Sequence, residues 1–165
     1  RLGAPAGASL AADLVVIDDF TDGVETWQTT TRDSVAGVEQ TDTFNVTSAA
    51  NAGDVTLFTV ATADFVLDGC VIYANGATTA DLTSAALFVE NATTNHAHTL
   101  ISAAVAVKAS IDALGEQVNA GGNVGLLRSA NSDRVVMDLQ GTGATAVNLQ
   151  VVCTGRAIAD GGVIN

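Results

Sequence analysis

The sequence predicts a mainly β chain: an antiparallel β-sandwich, jelly-roll-like, preceded by a short N-terminal helix or coiled-coil segment. Three observations predict it. Runs rich in Val, Thr, Leu and Ile recur along most of the chain, and Gly, Asn and Asp clusters punctuate them. Counted out, they make roughly seven or eight short strands, as a two-sheet fold requires. The first thirty residues instead carry apolar positions three, four and seven apart, a helical spacing.

The elements follow in order. Leu2 to Ser9 is a Gly/Ala/Pro lead-in, and Ser9 is placed to cap a helix through its hydroxyl. Leu10, Ile17 and Val24 fall at one heptad position, with Phe20 and Trp27 at the other and Leu14 beside the stripe. This predicts a helix over 10–22 that fades between Gly23 and Thr30. So short a helix is marginal alone in water. Its stripe must be buried, either on its own β domain or, as the heptad period favours, against copies of itself.

From Ser34 the period shortens. Strands are expected over Val38–Val46, Val55–Val60, Phe65–Tyr73, Leu82–Glu90, His98–Ile101, Arg134–Leu139 and Ala146–Thr154. Asp68-Gly69 is expected to bulge its strand. Asn75-Gly76 marks a turn, and Gly141 to Ala144 reads as a hairpin turn between the last two strands. Val107, Ile111, Leu114 and Val118 fit a helical spacing, so a helical crossover is expected over 102–118. The divisions are an assembly segment over 1–32, a sandwich over 33–159 and a flexible tail over 160–165.

Composition narrows the function. Acidic residues outnumber Lys and Arg 18 to 6, a net charge of −12. The few bases are scattered singly, which argues against nucleic acid and anionic membrane as partners. Aromatics are 4% of the 165 residues, so the core must be built from small aliphatic side chains. No apolar run approaches the roughly 20 residues of a membrane span. The first residue is Arg1, which predicts either a removed leader or a piece of a longer polypeptide.

The stretch Leu2-Gly3-Ala4-Pro5-Ala6-Gly7-Ala8-Ser9-Leu10-Ala11-Ala12-Asp13 resembles a module of tailed-bacteriophage virion proteins, where it precedes short coiled segments beside a β domain. The Thr/Ala/Gly turns of the remainder resemble sandwich domains of phage head-decoration and fibre proteins. The resemblance implies a capsid decoration or fibre subunit on the virion surface. It implies a homotrimer bound to the major capsid or other virion proteins. Leu10, Leu14, Ile17, Phe20, Val24 and Trp27 are then the oligomer or partner interface.

Nothing in the sequence assembles a catalytic centre, and a non-enzymatic role without cofactor is expected. No serine sits in a nucleophile elbow, and Gly121 to Gly125 lacks the Lys of a phosphate loop. His96 and His98 would share a face on a strand. No carboxylate or thiol is close in sequence to complete a metal site, so a polar strand end is the expected role. Asp42, Asp54, Asp64 and Asp68 lack calcium-loop spacing. Cys70 and Cys153 are read as small buried hydrophobes, with a disulfide as the alternative if their strands are neighbours. A receptor- or carbohydrate-binding tip, or a secreted filament subunit, are the alternative functions.

Overall fold

The computed structural model describes residues 14–21, 24–31, 36–47, 53–77, 82–120, 125–141, 147–162 and 164, the first two segments through their backbone. Its strands are β1 (Leu14–Thr21), β2 (Val24–Thr31), β3 (Glu39–Val46), β4 (Gly53–Thr59), β5 (Phe65–Ala74), β6 (Leu82–Glu90), β7 (His98–Ile101), β8 (Gln117–Asn119), β9 (Gly125–Leu127), β10 (Arg134–Gly141) and β11 (Leu149–Ala157). Among the described residues every strand pairing is antiparallel.

The pairings are nested. β6 pairs with β7, β5 with β8 and β9, β4 with β10, and β3 with β11. The chain is thus folded back on itself about the β6–β7 connection, as one long two-stranded ribbon. Successive rungs of that ribbon alternate between two sheets. One sheet runs β4-β10-β6-β7 and the other β3-β11-β5-β8, with β9 also on β5. The ribbon closes on itself where β10 meets β6 and β11 meets β5.

Side-chain alternation drives the two sheets together. Val151 and Cys153 of β11 are fully buried, as are Leu87 of β6 and Met137 of β10. They belong to one apolar cluster drawn from both sheets, with Phe65, Ile72, Leu100 and Leu127 among its members. A fully buried side chain of this size contributes about 1.5–3 kcal/mol. The expected bulge is present. Thr154 faces Gly69 while Gly155 faces Leu67, which leaves Asp68 extra. Phe65 and Leu67 point inward before it, and Cys70, Ile72 and Ala74 after it, so the inward positions of β5 shift by one.

Several expectations need correction. Residues 14–21 and 24–31 are two paired strands, not a helix or coiled coil. Val15, Val16, Ile17 and the Thr29 to Thr31 run suit extended backbone. Thr21 pairs with Val24, and the residues between them are Asp22-Gly23, a dipeptide that two-residue hairpin loops favour. Leu10 lies outside the described residues. The helical crossover over 102–118 is absent. That stretch holds turns, one 3₁₀ turn at Lys108–Ser110, and β8. Its apolar residues serve opposite ends, because Ile111 is buried whereas Leu114 is 78% exposed. Gly141 to Ala144 does not join a hairpin either, since β10 and β11 lie in different sheets.

Cys70 and Cys153 are cross-strand neighbours and form a disulfide that spans 83 residues of sequence. Two residues near the C-terminus, Gly162 and Ile164, bond to β3. The buried Gln40 amide donates to the Gly162 carbonyl at 2.8 Å and accepts from the Ile164 N–H at 3.0 Å. A buried amide needs both partners, and these two residues supply them.

Candidate functional site

Two regions hold the residues singled out by sequence. The first is the β1–β2 hairpin, a two-stranded sheet of its own. It carries Leu14, Ile17, Phe20, Val24 and Trp27. Their register partners are Thr31, Gln28, Glu25, Thr21 and Asp18, so they do not pair with one another. The helical spacing that would join them into one stripe is therefore not the backbone present here.

The second region surrounds His96. The continuous apolar run of β6, Ala85 to Val89, ends at Glu90, a carboxylate that is 2% exposed. The chain then turns back at Asn91, whose side-chain oxygen accepts from the Thr93 and Thr94 N–H groups at 2.9 and 2.8 Å. This Asx geometry is a strong local turn former. It delivers His96 in a left-handed conformation, φ 48°. The imidazole lies flat on Phe88, with ring centroids 3.9 Å apart and planes within 5°. His96 Nε2 lies 3.2 Å from Asp54 Oδ1 and 3.4 Å from Glu90 Oε1. The other oxygen of Glu90 accepts from Arg134 Nε at 3.1 Å and Nη2 at 3.0 Å.

Each strand places its member for a local reason. Arg134 starts β10 directly opposite Glu90 in register. Phe88 faces Val136 across the same pair of strands, and Val136 is 1% exposed although it lies on the side of β10 opposite to Val135 and Met137. A buried carboxylate is tolerable only with such partners. Asp54 joins from β4, 42 residues from His96 in sequence.

His98 does not share a face with His96. It opens β7 opposite Val89, while His96 precedes that strand in a turn. The four aspartates considered for calcium are dispersed as well. Asp42 accepts from the Thr43 N–H, Asp64 from Ser129, and Asp68 from Arg156 at 2.8 Å. That bond to Asp68 raises the Arg156 pKa further, so the exposed guanidinium keeps its charge. Neither Glu90 nor Arg134 stood out in the sequence. A lone acid at the end of an apolar strand was the available signal.

A shallow hollow lies on the sheet that holds the disulfide. Asp68, Tyr73, Asn119, Val152 and Thr154 line it.

No protein-family model matches the chain. No curated protein matches it. Among solved structures it is similar to a chain from the structure of infectious bursal disease virus Gx strain, at 11% identity and a TM-score of 0.27. The corresponding Gt strain structure gives 11% and 0.22. The matches cover 98% of this chain but only 43% and 48% of those chains, so it spans less than half of their length.

Proposed function

We propose that this chain is a structural virion protein of a tailed phage, a capsid decoration or fibre subunit that assembles as a homotrimer on the particle surface. The observation that carries the reading is the nested ribbon. Four nested pairs, eight strands rolled into two sheets, match the jelly-roll plan, an architecture used by viral capsid and lectin domains. Fold alone does not assign function, so the reading also leans on the separate N-terminal hairpin. A two-stranded sheet is marginally stable by itself, and this one carries Leu14, Ile17, Phe20, Val24 and Trp27. Contact with partner subunits or with the capsid would stabilise such a hairpin. A buried disulfide and an acidic surface suit a particle outside a reducing cell.

Native mass spectrometry of the full chain tests this. A closed trimer is expected, and Ile17→Asp is expected to dissociate it or to release the protein from the particle. A stable monomer, or assembly indifferent to Ile17→Asp, sinks the proposal.

The hollow beside Tyr73 favours a second reading, a carbohydrate-binding tip. An aromatic ring among Asp, Asn and Thr side chains is the chemistry that sugars use. Glycan-array binding lost in Tyr73→Ala supports it, and a blank array removes it.

A further inference from the structure

We propose that Asp54, Glu90 and His96 bind one divalent transition-metal ion of the zinc class. The inference is independent of the virion reading. The three side chains offer one imidazole nitrogen and two carboxylate oxygens, all within 4.8 Å of one another. Zinc held at about 2.0–2.1 Å in tetrahedral geometry separates its ligand atoms by about 3.3–3.4 Å. Nε2 already lies 3.2 Å and 3.4 Å from the two oxygens. Only the Asp54–Glu90 edge must close, by at most about 1.4 Å on the same geometry. Asp54 can make that movement, because its side chain is 42% exposed.

The supports around these ligands are those a metal centre needs. Arg134 occupies one oxygen of Glu90 and leaves the other aimed at His96. Ligating carboxylates are ordinarily held in this way by an outer partner. Phe88 fixes the plane of the imidazole. The left-handed backbone of His96 costs conformational energy that the surroundings must offset, a pattern that concentrates at functional sites. Two carboxylates against one guanidinium leave the cluster with net negative charge before a cation arrives. The imidazole selects against magnesium and calcium, which prefer oxygen alone. The solvent side of Asp54 and His96 provides the fourth position for water. Bound metal would tie β4 to the turn that follows β6.

The test uses tag-free full-length protein stripped with EDTA, titrated with Zn²⁺ by calorimetry and followed by thermal melting. One equivalent per chain and a raised melting midpoint are expected, with no response to Mg²⁺. His96→Gln should weaken binding by about 100-fold, at the upper end of what even an outer partner contributes. His98→Gln should bind like the parent. If His96→Gln fails to fold, Asp54→Asn, at an exposed position, takes its place and should also lose the zinc response. No binding by the parent overturns the proposal. So does zinc binding that both cluster variants retain unchanged, or an equal response to Mg²⁺.

Discussion

The rolled body and the N-terminal hairpin are both antiparallel β, yet they are held in opposite ways. Every rung of the hairpin joins residues close in sequence, and among the described residues its two strands form a sheet with no third member. In the body, β3 pairs with β11 across most of the chain, and a disulfide spans 83 residues. The body is stabilised by its own buried interior and is expected to stand alone. The hairpin has local register without a sheet partner, so its stability is expected to depend on what it touches. One chain is thus expected to combine a self-sufficient unit with a contact-dependent one.

This contrast can be broken experimentally, starting with the body. Replacing Cys70 and Cys153 together by Ser releases the long loop. It should cost about 4 kcal/mol, read as a melting midpoint lower by about 10 °C. A smaller loss would mean that the unfolded chain is already compact. Arg134→Met strands the buried Glu90 carboxylate. Arg134 is 36% exposed, so the loss should fall to about 2–3 kcal/mol in chemical denaturation, near the lower end for a broken buried pair. Next comes Gly155→Ala. A methyl there would meet the Phe65 ring and the Val66 carbonyl opposite the bulge. Overpacking of this kind costs about 1–3 kcal/mol. The hairpin variant Ile17→Asp should leave the unfolding free energy of the body within about 0.5 kcal/mol while abolishing assembly. If it destabilised the body as much as Gly155→Ala does, the two regions would not be separable.

Most of the strands are legible as apolar, β-branched runs between turn residues, and β5 and β11 also carry a two-residue period. β5, β6, β10 and β11 lie within a few residues of their expected positions, and the bulge at Asp68 is visible in Asp68-Gly69. The sheet partners were not legible. Alternation reveals an inward face but not which strand lies alongside, so the last two strands read as a hairpin, and the Cys70–Cys153 disulfide stays the alternative to two buried thiols until their strands are known to be neighbours. At the N-terminus the difference has another cause. Sparse apolar residues fit a heptad by spacing alone, while the β-branched run Val15-Val16-Ile17 and the Asp22-Gly23 dipeptide argued locally for a hairpin. At the His96 cluster, Asp54 is too distant in sequence to be connected with the imidazole. Glu90, only six residues away, reads as a strand terminus until its burial is known.

The position of β11 has a consequence for biosynthesis. It is the last described strand to leave a ribosome, yet it lies between β3 and β5 in its sheet. A nascent chain lacking it would leave both neighbours with unpaired backbone and Cys70 without its mate. Closure of the roll must therefore wait until β11 has emerged, and long-range pairing of this kind is slow. Oxidation of the cysteines would come later still. That delay is a window in which chaperones or a neighbouring polypeptide could capture the exposed edges.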